Sequence, residues 1–535
     1  MAQIPYRANL QSMTFPMLSE LSGRTIINPQ GDSTYARFVS ADGQAPIDTG
    51  VPQIFYCHNV MPSTYGWQSV RYNIVCTPNP SQPADSDYEN ATLFYAAQVI
   101  TEGSPPVEVL KATGYKSYIA ITGVGANRVY TWQTGTGMWA PVLNPPVLPA
   151  GCVISVATVN GVSYIYFSGV GCYIYDNNTN MLTERVLAGL DKVATIGLIA
   201  ANGYLNAYNK TGVAWSSTVN VEDFVPSDVS GAGGGQVQEA KGEIVTAVGT
   251  SLGYILYTKE NAVSVIFSGN AEFPWNFKNI PASGGVSSAD VVSQEQAAGR
   301  QQVYSTNGMQ QVAHANCNTV FPAITDFLAG NVFEDFDSLT NLFIKTKFDW
   351  TMRKKLAVVA DRYVVVSYGL NPTTDMTHAL IIDLTQTRMG KLKITHTSCF
   401  ELRSLNSQVN EIPRDAIAFL QHDGTVQVVD FSLNDFAPDA VLVMGKFQYA
   451  RQKMIELNQL EVEAVELGDS LTCEALPSLN GKTFDPYKEG YPLAAAEGYR
   501  KFSWDGAIGT NVSWVFKGTF NINSLIGWFS LVGNP

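Results

Sequence analysis

Seven stretches of this chain share one design: two short runs of period two, joined by Gly, Asn or Asp. They are Tyr118–Trp132, Tyr164–Tyr175, Tyr204–Trp215, Tyr254–Phe267, Val303–Val312, Val364–Ile382 and Ile417–Val429. Period-two runs flanking such turn residues are the signature of a β-hairpin. Successive starts lie between 40 and 61 residues apart. A lone hairpin has no dry partner for its faces, so a unit of this size must stack on copies of itself. Four-stranded propeller blades recur at this interval. A β-sandwich is the competing architecture, but it spaces its strands by ~8–12 residues without the longer period. The reading is therefore all-β: a β-propeller of six or seven blades, since one hairpin can belong to an insertion.

Composition agrees. The 535 residues are 45% apolar, 11% aromatic and 15% charged, with 45 Gly and 25 Tyr. That excludes a disordered chain and favours strands and tight turns. The net charge is −13, with no block of Lys or Arg. A protein that grips phosphates needs basic clusters, so sequence-specific DNA binding is not expected. An acidic wall would instead let DNA slide past.

The ring is expected over 91–435. Residues 77–90, TPNPSQPADSDYEN from Thr77, read as an exposed loop, with Asp85 and Asp87 as candidate gate or docking positions. Residues 1–76 form a strand-rich arm and 436–535 a further β unit. Arm and tail together should make a β-rich platform into which the propeller is inserted, because chain ends tend to lie close. The stretch 321–342 interrupts the pattern: Ile324, Phe327, Leu328, Val332 and Phe336 fit one helical face, so an inserted helix is expected near 321–342. Gly231–Gly235, GAGGG, reads as a mobile loop, with Gly231, Gly233 and Gly235 as a second candidate gate.

Motifs with chemical meaning are weak. Gly249-Thr250-Ser251-Leu252-Gly253 matches the hydrolase elbow, but strand-like YILYT follows where a helix is required; a turn between strands is the better reading. Gly481-Lys482-Thr483 lacks the glycine five residues earlier that a phosphate loop needs. His314-x-x-Cys317 offers two ligands where zinc takes three or four. The seven cysteines are odd in number and contain no CxxC, so buried thiols are expected rather than disulfides. Asp326, Glu334, Asp335 and Asp337 concentrate carboxylates. They read as a solvated face, as a docking surface for a basic partner or, without any D-x-D-x-D-G loop, as a calcium site. Trp132, Trp215, Tyr175 and Phe267 end blade hairpins and read as inter-blade core rather than sugar platforms. No catalytic residue, metal or cofactor is assigned. No run approaches the ~18 apolar residues of a membrane span, and MAQIPYRANLQSMTF lacks the apolar segment of a secretory signal.

Several phrases resemble the tail hub, or nozzle, proteins of short-tailed bacteriophages. CHNVMPSTYGWQSVRY at Cys57–Tyr72 is similar to a phrase near their start, with His58 in place of Arg. AWSSTVNVEDFVPS at Ala214–Ser227 and GYILYTKENAVSVIFSG at Gly253–Gly269 resemble their blade phrases. VELGDSLTCEALPSLNGKTF at Val465–Phe484 and GTNVSWVFKGTFNI at Gly509–Ile522 are similar to their C-terminal β domain. The resemblance implies a non-enzymatic virion protein, assembled in the bacterial cytoplasm as a homo-hexamer that conducts DNA. Its partners would be the tail adaptor ring, tail fibres or tailspikes, and a needle or plug. The other reading left open is a carbohydrate-binding or glycoside-cleaving propeller.

Overall fold

The computed structural model describes residues 3–9, 35–38, 47–50, 54–64, 66–78, 91–104, 107–121, 129–133, 138–270, 273–293, 299–322, 324–325, 331–337 and 342–347. Beyond these it describes 354–359, 362–369, 376–385, 388–402, 416–430, 440–444, 454–467, 471–479, 488–496 and 499–532.

The chain is a β-propeller inserted into a β platform, and the described residues of the ring form seven blades. Each of the seven sequence hairpins is the central strand pair of one blade. Blades 1 to 4 span 91–141, 154–185, 197–236 and 244–279, each with four antiparallel strands in chain order. Blade 5 spans 292–319; its innermost position is a single bridge, Val292 to Val303, ahead of three strands. Blade 6 spans 354–396. Blade 7 takes three strands from 398–430, and its outermost strand is Arg71–Pro78, from before the ring.

That borrowed strand latches the circle. Val426 to Asp430 pair antiparallel with Cys76 to Arg71, and on its other side Thr77 and Pro78 pair with Met138 and Trp139 of blade 1. The Trp139 indole donates to the Gly424 carbonyl at 3.1 Å, a second tie between first and last blades. The boundary between arm and ring therefore falls near residue 70 rather than 76. Period-two alternation in RYNIVCTP marks a strand, but not which sheet receives it.

Apolar faces meet between blades, as a stack of units with no dry face of their own requires. Blades 3 and 4 share Tyr204, Tyr208, Trp215, Tyr254 and Trp275; blades 6 and 7 share Val365, Ile381, Ile417 and Phe419. Trp275 sits edge-on to Tyr254 with ring centres 5.1 Å apart. Burying such a side chain stabilises the fold by roughly 1.5–3 kcal/mol.

The described residues of the platform form two sheets. One contains Trp67–Ser69, Phe520–Val532, Met454–Leu467, Tyr499–Gly509 and Tyr491–Ala496, with Gln3–Asn9 beside Phe520–Val532. The other runs Lys488–Glu489, Thr472–Ser478, Asn511–Lys517, Val441–Met444, Ile54–His58. Leu460, Phe502, Trp514, Phe516, Leu525 and Phe529 lie in their common core. Strands from before and after the ring thus interleave, as the sequence predicts.

The expected helix near 321–342 is corrected over its second half. Asn331–Asp337 is a strand paired with Leu342–Lys347. Its register shifts between Phe333 and Asp335. Such a bulge interrupts strict alternation, and this mimics helical spacing in the sequence.

Candidate functional site

Ring and platform are joined by a continuous sheet. The outer strand of blade 6, Arg388–His396, pairs with Val60–Pro62, which leads on to Trp67–Ser69 and Phe520–Val532. The approach is too close for ordinary side chains at two points. A Cβ on Gly390 would sit 2.2 Å from the Val60 carbonyl oxygen, and one on Gly66 would sit 1.8 Å from that of Ile522. Between them lies Arg388, only 4% exposed. Its guanidinium donates to the Gly66 and Ser63 carbonyls and lies over the Trp67 ring. Burial pulls its pKa below the usual arginine value, with the nearby Asp383 opposing. Asp383, fully buried, accepts from Arg362 at 2.8 Å and from the Thr385 hydroxyl. Burial alone would raise its carboxyl, but these bonds together bring it below the ordinary value. Lys391, also buried, places its ammonium 4.9 Å from the centre of the Tyr56 ring.

A second constellation lies on blade 3. The phrase SSTVNVEDFVPS from Ser216 is a strap that leaves the third strand and crosses to blade 2. Asx- and Ser-turns fold it: Val219 N–H donates to Ser217 Oγ, Glu222 N–H to Asn220 Oδ1 and Val225 N–H to Asp223 Oδ1. Phe224, 2% exposed, is driven into the core of blades 2 and 3 beside Tyr164, Leu187 and Leu205. Glu222 accepts from Arg185 of blade 2 at 2.9 Å.

The strap returns through Gly231–Gly235, and here the mobile-loop reading is corrected. Gly233–Gln236 is the outermost strand of blade 3, paired with Gly212–Trp215. Glycine resists strands on propensity, but a Cβ on Gly233 would lie 2.9 Å from the Trp215 ring. The Trp215 indole donates to the Gly231 carbonyl at 3.0 Å, and Gly231 takes a φ of +69°. Trp215 therefore selects Gly233, and it is inter-blade core, as are Tyr175 and the half-buried Phe267.

The remaining expectations divide. The G-x-S-x-G match is a tight turn between Ile244–Thr250 and Gly253–Thr258, as read from sequence. His314 is held between the Thr250 and Ser264 hydroxyls, each at 2.6 Å, so it locks blade 4 to blade 5. All seven cysteines are free thiols. Burial pushes Cys57 up to about 12, with Lys391 opposing, and Cys317 up to about 11, so neither is an activated nucleophile. Among the described residues no three His, Cys, Asp or Glu side chains converge on a metal-sized point, and no helix is long and apolar enough to cross a membrane. Asp85, Asp87 and Asp326 lie outside the described residues; Glu334, Asp335 and Asp337 fall on the strand Asn331–Asp337. A small polar recess on blade 5 is lined by Arg300, Gln311, Ala313, Asn316 and Asn318. Sequence reading missed it, although Gln311 and Asn318 are cross-strand partners.

No family model and no curated protein matches the chain. Among solved structures it is similar to YCF48 bound to a D1 peptide, at 13% identity and a TM-score of 0.34, covering 66% of this chain and 98% of that one. It is also similar to BamB from Moraxella catarrhalis, at 9% identity and a TM-score of 0.29, covering 64% and 99%. A mitotic checkpoint complex structure aligns at 10% identity and a TM-score of 0.35, covering 68% and 95%. Likeness at this level carries nothing about function. The strand pairing alone defines the class: a seven-bladed propeller set into a two-sheet platform.

Proposed function

We propose that this chain is the nozzle subunit of a short-tailed bacteriophage tail. It is a structural, non-enzymatic virion protein that assembles as a homo-hexamer, conducts DNA without sequence-specific contacts, and carries fibres or spikes and a needle or plug below the adaptor ring. The observation that supports this most is the coincidence of phrase and architecture. The nozzle-like phrase at Cys57–Tyr72 falls at the seam where platform strands meet the ring. The one at Ala214–Ser227 is the strap that clamps blade 2. The −13 charge balance suits a wall that repels phosphates. A rigid sheet running from blade 6 into the platform suits a part that bears load.

Mass photometry and electron microscopy of the purified chain test the reading. A ring of six copies of 58.1 kDa with a central bore is expected. A monomer at micromolar concentration overturns it. The second reading, a carbohydrate-binding propeller, is favoured only by the amide- and guanidinium-lined recess on blade 5. A monomer that binds sugars saturably, with binding lost in Arg300→Ala, would establish that reading instead.

A further inference from the structure

The outer edges of the blades are not equally guarded. An open strand edge offers unpaired N–H and C=O groups to any passing chain, and native proteins blunt such edges with charge, proline, brevity or cover. Here the outer strands of blades 1 and 7 are paired to each other, and that of blade 6 is paired to the platform. Blade 2 ends on Met181–Arg185, with Glu184 and Arg185; blade 4 ends on Trp275–Asn279, with Lys278; blade 5 ends on the three residues Cys317–Thr319. Blade 3 ends on Gly233–Gln236, which has no charge, no proline and, among the described residues, no strand on its outer side.

Three further observations bear on what this edge receives. The Val237 N–H donates to the Thr211 carbonyl, which fixes the phase of the ladder. Antiparallel alternation then turns the N–H and C=O of Gly234 and Gln236 outward. Packing demands glycine at 233 and 234, where a Cβ would meet Trp215 and the Val213 carbonyl. At Gly235 nothing lies within 4 Å of that Cβ, so packing does not account for its missing side chain. The turn that leads into this strand exposes Val229 at 97%. From Ser216 to Ala240 the sequence holds Glu222, Asp223, Asp228 and Glu239 and no Lys or Arg; Glu222 is engaged by Arg185, which leaves the other three.

From this juxtaposition we infer that Gly233–Gln236 is a β-augmentation site: it accepts an extended segment of a partner protein as a fifth strand of blade 3, with an apolar side chain on Val229 and basic residues facing the acidic strap. Main-chain bonds to Gly234 and Gln236 supply affinity, and Val229 with the exposed carboxylates supplies selectivity. The inference goes beyond the nozzle reading and does not depend on the ring being a DNA conduit.

The test uses the full-length chain and a fluorescein-labelled peptide, Lys-Val-Thr-Val-Thr-Val-Thr-Val-Lys, followed by fluorescence anisotropy. Saturable binding is expected, with slowed amide exchange at Gly234 and Gln236. Gln236→Pro removes an outward N–H that blade 3 does not use, and Gly235→Lys installs a guard where there is open space. Each should weaken binding at least about tenfold, as a blocked edge does, while the melting temperature stays within about 2 °C of the parent. A peptide N-methylated on alternate residues should not bind. Absence of saturable binding, or binding unchanged in both variants, overturns the proposal. Hexamer mass, read on the same samples, reports separately on the nozzle reading.

Discussion

Arg388 donates through Nη1 to the Gly66 carbonyl at 3.0 Å, across the line where ring becomes platform. The guanidinium also bonds Ser63 and covers Trp67, so one planar fork serves two carbonyls and a ring. Lysine keeps the charge but has no fork. Arg388→Lys should therefore lower stability by about 2–4 kcal/mol through lost charge-assisted bonds to buried carbonyls. Urea titration followed by tryptophan fluorescence measures this; an unchanged midpoint would contradict the role.

The same seam contains Gly390, whose missing Cβ lets the blade 6 strand lie against Val60. Gly390→Ala should cost about 1–3 kcal/mol by overpacking. Gly235→Ala, where the new methyl meets nothing within 4 Å, should change stability by about 0.5 kcal/mol or less. Parallel thermal melts of the two variants make the comparison.

Phe224 anchors the strap between blades 2 and 3. Phe224→Ala should cost about 3–5 kcal/mol by leaving a cavity in a rigid core. It should also raise protease sensitivity within the strap before global unfolding, which limited proteolysis with mass mapping detects.

Asp383 sets an acid limit. Its carboxyl is held below the ordinary value of 3.8, because the bonds from Arg362 and Thr385 outweigh burial. A depressed folded pKa contributes stability that is complete above the unfolded value and lost as pH falls through the folded one. Stability should thus decline below about pH 4, and Asp383→Asn should flatten that part of the profile. Urea midpoints between about pH 5 and pH 2.5 provide the measurement; parallel profiles for parent and variant would count against the assignment.

Much of the ring was legible because a hairpin is a local object. Tyr164–Tyr175 and its six relatives carry both strands and the turn in one stretch, so period and turn chemistry suffice. What was not legible is non-local or conditional. Nothing in RYNIVCTP says that its partner is Val426–Asp430, far along the chain. GAGGG reads as a loop unless one knows that Trp215 lies against Gly233 and the Val213 carbonyl against Gly234. The bulge at Phe333–Asp335 turned a strand into an apparent helix. The seam at Arg388 was missed for the same reason: its partners, Ser63 and Gly66, lie 325 and 322 residues away in the sequence.

The latch strand Arg71–Pro78 has a consequence for biosynthesis. It leaves the ribosome early, but its antiparallel partner Val426–Asp430 is among the last parts of the propeller to be made. Throughout translation of the intervening blades the nascent toroid stays an open arc with one uncovered end. That end is covered only when Val426–Asp430 has been made and can pair with the waiting strand.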